Sequence, residues 1–208
     1  MVNTNNEQIP TEERILKSAI KVFTEKGLNG SRMQDIANEA QINKSMLHYY
    51  YRNKQQLFER VFDEKITELF SVFEVILSSD LSFEQKIRKF VKTQIETISK
   101  IPGLPLFVIN EVGKNPNILD QKFQDKGPKM LKGIFEKMIA AEISAGRIKP
   151  IDFGQFLANL LSLCLYPFVA KPMLQFVLDM DENNFNEFVT DRVELISDLL
   201  LNDVLIKQ

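Results

Sequence analysis

An all-α fold follows from three observations on the sequence. Apolar residues recur at spacings of three and four along most of the 208 residues, alternating apolar and polar runs with hairpin turns are absent, and helix-capping residues stand ahead of the periodic stretches. A composition of 44% hydrophobic and 26% charged residues, with 8 Gly and 8 Pro, excludes disordered, collagenous and low-complexity classes. The length suits a small domain joined to a medium one, and it is ample for a buried core.

The first helix is expected to open at Thr11 as N-cap, to carry Ile15, Leu16, Ala19, Ile20, Val22 and Phe23 inward, and to stop at Gly27. Ser31 followed by Gln34 predicts a capping box for a second helix, whose core face is Met33, Ile36, Ala37 and Ala40. A tight turn at Gln41 and Ile42 leads to a second cap, Asn43, and a brief helix to about Tyr50. Asn53 then caps a long helix with the stripe Leu57, Phe58, Val61, Phe62, Leu69, Phe70, Phe73, Ile76 and Leu77. Further helices are expected over Phe83 to Ser99, Leu104 to Gly113, Asn117 to Gln124, Pro128 to Ala145, Phe153 to Leu178 and Asn184 to Ile206, separated by Pro and Gly breaks. Of 16 Phe, only Phe23 precedes Phe58, so a small N-terminal unit, residues 1–56, and a Phe-rich C-terminal one, residues 57–208, are expected. There is no internal repeat.

One Cys, one His and no Trp leave neither a disulfide framework nor a multi-ligand metal site, and no cofactor is expected. Cys164 reads as a small buried hydrophobe with no basic neighbour evident. No Gly-rich phosphate loop, HExxH or nucleophile elbow occurs, so an enzyme is not expected. Residues 1–10 are polar and lack the basic start and apolar core of a secretory signal, which implies a cytoplasmic location. The apolar run from Phe156 to Leu178 contains Asn159, Ser162, Lys171 and Gln175 and two prolines, which argues against a membrane span.

Function is concentrated near the N-terminus. Two short helices separated by a tight turn, behind a first helix, describe a helix-turn-helix whose last helix enters the DNA major groove. The stretch from Ser31 to Leu57, SRMQDIANEAQINKSMLHYYYRNKQQL, strongly resembles the DNA-binding domain of TetR-family transcriptional regulators, and RILKSAIKVF from Arg14 to Phe23, with Glu25, Lys26 and Gly27, matches that family's first helix. The remaining three quarters resemble the family only in helical character and length. The resemblance implies a ligand-responsive regulator, a repressor by default, that binds a palindromic operator as a homodimer and is released by a small hydrophobic effector. The rival reading is a helical interaction module that has lost operator binding.

Carried over residue by residue, the resemblance places Ser31 and Arg32 at the phosphate backbone, Lys44, Ser45, Met46, His48 and Tyr49 on the recognition helix, and Lys54 on a phosphate, with Leu47 and Tyr50 turned inward beside Ile36 and Ile42. Lys44 suits a guanine edge, and Met46 and Tyr49 suit thymine methyls. Two positions depart from the family: Gln41 stands where Gly is usual, implying mild left-handed strain, and His48 replaces a Tyr that usually reaches a phosphate, although a neutral imidazole still has one hydrogen to donate. Apolar and polar residues together suggest an effector pocket from Phe62, Ile66, Phe70, Phe107, Asn110, Glu111, Phe135, Cys164 and Phe168. The last helices suggest a four-helix dimer bundle using Phe156, Leu160, Leu163, Phe185, Phe188, Val189, Val193, Ile196 and Leu200.

Charge is distributed to match. Residues 1–60 hold 9 Lys and Arg against 7 Asp and Glu, whereas the rest holds 17 against 21, so a net −2 hides a mildly basic head on an acidic body.

Overall fold

The computed structural model describes residues 10–114, 117 and 127–206. The chain divides into two compact units, one ending at Ile66 and the other beginning at Thr67. Among the described residues the regular structure is helical, with one isolated antiparallel bridge between Ile148 and Leu205. The helix expected from Asn117 to Gln124 lies outside the described residues beyond its first position.

The first unit is built on α1 (Thr11–Gly30), α2 (Met33–Glu39), α3 (Lys44–Tyr50) and the start of α4 (Lys54–Ser78). Thr11 is not a cap: the Pro10 carbonyl already accepts the Arg14 N–H at 3.0 Å, so the helix begins one residue earlier than expected. Gly27 does interrupt the helix, at φ +66°, a conformation that costs glycine nothing, and a short last turn follows to Gly30. The capping box of α2 is displaced by one residue from Ser31 and Gln34. Arg32 holds the N-cap position and its N–H donates to the Asp35 carboxylate at 3.1 Å, while the buried Ser31 hydroxyl donates to the Leu28 carbonyl at 3.0 Å. Asn43 and Asn53 cap as expected, accepting from Met46 and Gln56 N–H groups at 2.6 and 2.9 Å.

Ile15, Leu16, Ala19, Val22 and Phe23 of α1 are buried with Ile36, Ala37, Leu47, Leu57 and Phe58. Phe23 meets Phe58 edge-on, centroids 5.0 Å apart. Burying each such side chain contributes about 1.5–3 kcal/mol, more than any surface ion pair here.

The second unit comprises the rest of α4 with α5 (Phe83–Lys100), α6 (Leu104–Lys114), α7 (Pro128–Ser144), α8 (Phe153–Val169), α9 (Lys171–Val177) and α10 (Glu182–Val204). α5 packs chiefly against α8 and α10. Phenylalanines run through this core: Phe73 stacks on Phe90 at 3.8 Å, Phe90 meets Phe135 at 5.6 Å, and Phe135 reaches Phe153 and Phe156. At the edge, Arg88 clamps α5 to α10 through Glu194 at 2.9 Å and Asp198 at 2.7 Å.

The single helix expected from Phe153 to Leu178 is two helices, bent by 71° across Ala170. Pro172 accounts for the break, because it lacks an N–H and its ring is tolerated only in a first turn, where α9 places it. Pro167 remains inside α8. The Leu163 carbonyl, which a non-proline at 167 would bond, accepts instead from Arg192 at 3.3 Å. Arg192 is therefore a basic neighbour of Cys164 that the sequence did not disclose, yet burial dominates and pushes the thiol up to about 12. No single described helix is long and apolar enough to cross a membrane.

Tyr51 offers a test of the first unit. Its hydroxyl donates to Glu12 at 3.0 Å, and burial first, then that carboxylate, raises the phenol from 10.0 to about 12. A raised pKa contributes stability that is complete below pH 10 and disappears as the pH climbs through about 12. Of the four tyrosines, one should ionise near pH 12 in a 295 nm titration. Tyr51→Phe should remove that step and reduce stability by about 1 kcal/mol.

Candidate nucleic-acid interface

α3 has seven residues and one buried side chain, Leu47, which is 0% exposed. Successive helical residues turn about 100°, so Ser45 and Tyr49 point most nearly opposite to Leu47. Tyr49 is accordingly 85% exposed, and Lys44, Ser45, Met46 and His48 are exposed with it. Tyr50, expected inside, is 40% exposed and packs edge-on against Tyr49. The ring that is buried is Tyr51, just past the helix end.

The turn before α3 is tightened by Gln41 N–H to Asn38 carbonyl at 3.1 Å and Ile42 N–H to Ala37 carbonyl at 3.0 Å. These bonds require Gln41 at φ +54°, left-handed as expected for a position that favours glycine. Lys54, in the first turn of α4, donates to the Ser31 carbonyl at 2.9 Å, which ties the start of α4 to the start of α2. A lysine at a helix N-terminus faces the positive end of the macrodipole, an arrangement that an anion relieves.

Among the described residues some cations of this unit are ion-paired and others, Arg14 and Arg60 among them, are not. Lys17, Lys21 and Lys26 are matched to Glu13, Glu39 and Asp35 at 2.7, 2.7 and 3.2 Å. The Lys26 hydrogen bond, joined by the Arg32 N–H, holds Asp35 below the usual carboxylate range. Arg32, Lys44 and Arg52 are exposed and have no ion pair among the described residues. They lie at the start of α2, at the start of α3 and just after it.

Residues 15–61 match the family model for bacterial regulatory proteins of the tetR family. The chain is 39% identical over 82 residues to the HTH-type transcriptional repressor NicS of Pseudomonas putida, spanning 39% of this chain and 38% of that one.

The helix-turn-helix unit is thus similar to that of tetR-family regulators.

The transcriptional regulator RutR of Escherichia coli is 24% identical over 145 residues, 68% of this chain and 66% of that one. The likeness extends through the fold: a Thermobifida fusca regulator of the TetR/AcrR family superposes with a TM-score of 0.66 at 20% identity over 92% of this chain and 96% of that one. A Cytophaga hutchinsonii transcriptional regulator gives 0.63 at 21% over 93% and 98%.

Against the TetR pattern, His48 behaves differently from expectation. Its Nδ1 lies 3.1 Å from the Arg52 carbonyl, an acceptor only, so the neutral ring spends its one hydrogen there. Nε2 is then an acceptor, so the neutral ring has no hydrogen left for a phosphate. Ser31 is also corrected: its hydroxyl is buried and engaged with Leu28, which leaves Arg32 as the exposed member of that pair. Arg52 is the residue sequence reasoning passed over. Its signal is exposure without a carboxylate partner.

The residues expected at the dimer face are mostly spent inside the monomer. Phe156, Leu160, Phe185, Val189, Ile196 and Leu200 are buried, and Leu163, Phe188 and Val193 are half-buried. The most apolar stripe of each helix turns to its own core first. Outward on α8 and α10 stand Ala158, Ser162, Tyr166, Leu195 and Leu199.

Of the expected effector residues, Phe62 and Ile66 belong to the first unit and the others to the second. Phe135, Cys164 and Phe168 are buried, Phe70 is half-buried and Asn110 is exposed, while the side chains of Phe107 and Glu111 lie outside the described residues. An open groove of about 650 Å³ between α4 and α5 is lined by Glu68, Ser71, Val72, Val75, Ile76, Lys89 and Thr93, none of them expected from sequence.

The left-handed turn gives a direct prediction. Gln41→Gly removes a cost of about 1–2 kcal/mol and adds about 0.5–1 kcal/mol of unfolded-chain entropy, so a net gain of about 0.5–1 kcal/mol should appear as a higher urea midpoint at unchanged slope.

Proposed function

We propose that this chain is a cytoplasmic DNA-binding transcriptional regulator, a repressor that binds a palindromic operator as a homodimer and releases it when a small, largely hydrophobic effector binds. Residues 1–56 act as the reading head and residues 57–208 as the effector-binding and dimerisation body. The observation that carries the reading is the set of unpaired, exposed cations Arg32, Lys44 and Arg52 around a recognition helix whose outer face is Ser45 and Tyr49. Cations left without carboxylates on one face are what phosphate neutralisation requires. Arg32, Arg52 and Lys54 fit phosphates, and Lys44, Ser45, Met46, His48 and Tyr49 fit base edges.

Dimerisation is supported by the outward face of α8, which carries Gln155, Ala158, Asn159, Ser162 and Tyr166 and no charge. Depletion of charge is the signature of an interface core. Two heads on one face of B-DNA must stand about 34–36 Å apart, which makes the half-site spacing a property of the dimer. An effector site is supported by Gln94, which is 4% exposed on α5, one turn beyond the Phe90 ring, with its Oε1 unpartnered. A buried acceptor without a donor calls for a ligand with a hydroxyl or N–H, or for a water.

Selection of bound sequences from random DNA should enrich a palindrome, and no enrichment would favour the interaction-module reading. On the enriched site, Lys54→Ala and Arg52→Ala should weaken binding almost uniformly across sequences and lower the salt slope by about 1 each, whereas Lys44→Ala should relax preference at one base pair. Wild-type affinity in all three variants would overturn the docking. Gln94→Leu should raise the melting temperature at unchanged operator affinity, since it deletes an unpartnered buried acceptor. A lower melting temperature would mean that the oxygen is satisfied in solution and would remove the support it lends to an effector.

A further inference from the structure

His48 is the one histidine in the chain, and an imidazole is the side chain whose ordinary titration falls between pH 5 and 8. It is exposed in the last turn of α3, one turn after Lys44 on the same face. Its hydrogen-bond partner among the described residues is the Arg52 carbonyl, 3.1 Å from Nδ1. A carbonyl only accepts, so this bond assigns the neutral ring's single hydrogen to Nδ1 and leaves a lone pair on Nε2. The two nitrogens of a five-membered ring point in divergent directions, so a hydrogen added at Nε2 leaves the bond to Arg52 intact. Protonation therefore converts the ring from an acceptor into a cationic donor without disturbing how it is held.

The charges of the neighbouring elements set when that happens. Lys44 and Arg52, four residues to either side, have no ion pair among the described residues, and neither does Arg32 at the start of α2. On α2, which packs against α3, the carboxylates are engaged: Asp35 with Lys26 at 3.2 Å and Glu39 with Lys21 at 2.7 Å. Beyond α3, Glu12 of α1 accepts from Tyr51, and Lys54 of α4 donates to the Ser31 carbonyl. Tyr49 and Tyr50 are phenols, ordinarily uncharged at neutral pH. Apart from the partial negative charge at the C-terminal end of α3, uncompensated charge near the ring is positive, and a duplex reverses that sign by bringing phosphates.

We infer that His48 is a proton-dependent operator contact: DNA binding takes up a proton from solvent at Nε2, which then donates to an oxygen of the duplex. The inference rests on the regulator reading above and adds its control by pH. A proton held more tightly in the complex strengthens DNA binding by the same factor, so affinity rises as the pH falls.

The test measures dissociation constants of full-length wild type, His48→Gln and His48→Phe from pH 6 to pH 8 at constant ionic strength, on the enriched palindrome and on a scrambled duplex. Far-ultraviolet circular dichroism checks folding. Wild type should bind the palindrome about fivefold more tightly per reading head at pH 6 than at pH 8, the gain expected when DNA makes proton uptake about tenfold more favourable, and both variants should lose that difference. Because the chain has one imidazole, its Hε1 resonance belongs to His48 alone, and at pH 7 it should move toward its acid-limit position when the palindrome is added. A pH dependence shared by the scrambled duplex would support the inference with a phosphate oxygen as acceptor, and one confined to the palindrome would support it with a base-edge oxygen. Wild-type affinity that is independent of pH, a pH dependence kept in both variants, or a resonance that stays in place on bound DNA would overturn it and leave the regulator reading standing. A wild-type protein that binds neither duplex at any pH would overturn both.

Discussion

A seven-residue helix has no independent stability in water, so α3 owes its existence and its aim to Leu47. That side chain, with no exposed area, fixes the rotation of α3 about its own axis. Once Leu47 points inward, the 100° step per residue dictates which neighbours meet solvent, and Ser45 and Tyr49 are the pair farthest from the core. Asn43 supports the start by accepting from Met46, and Gln41 bears the left-handed conformation that lets the chain reverse before it. The outward display of Lys44 and Tyr49 thus depends on an apolar contact made by neither of them. A cavity at Leu47 would cost about 2–5 kcal/mol and would release the whole helix rather than one side chain.

Electrostatics in the first unit follow from which cations have been neutralised, more than from how many there are. α1 is as lysine-rich as the region around α3, yet its lysines answer to Glu13, Glu39 and Asp35. Those pairs are exposed and contribute little to stability, but they remove the α1 lysines from competition for an anion. Arg32, Lys44 and Arg52, around α3, keep no ion pair among the described residues, and neither do Arg14 on α1 and Arg60 on α4. Lys54 holds both roles in part, since its bond to the Ser31 carbonyl uses one of three hydrogens and leaves the others at a helix N-terminus.

Much of the first unit was legible because short-range chemistry decides it. Asn43 and Asn53 cap where their spacing to the next apolar stripe says they should, and the departure at Gln41 forecast its positive φ. The α2 cap moved by one residue because Asp35 satisfies the Arg32 N–H while Ser31 is drawn into the core, a choice that depends on tertiary burial. Tyr50 lies outside for a similar reason: the buried ring at the end of α3 is Tyr51, which has Glu12, 39 residues earlier, as its partner. In the second unit helix positions were legible, but their outward faces were not. Phe156, Leu160 and Ile196 are apolar and by sequence suit an interface, yet an apolar side chain is buried only once, and the monomer claims it first.

The same priority explains why α8 tolerates a proline. Pro167 deprives the Leu163 carbonyl of its intrahelical donor, and at a half-buried position water is a poor substitute. Arg192 crosses from α10 to supply the hydrogen, its guanidinium lying 5.5 Å from the centre of the Phe188 ring. The cation is thereby committed to holding α8 against α10, with its Nε left buried and unpartnered. It stands close enough to Cys164 to favour a thiolate, but desolvation outweighs that attraction and the thiol stays protonated. Arg192 therefore acts as a structural bolt. By holding α8 in place up to Val169, it fixes the position from which the chain turns by 71° into α9, so the direction of the exposed Phe176 is set by a carbonyl that a proline left unpaired.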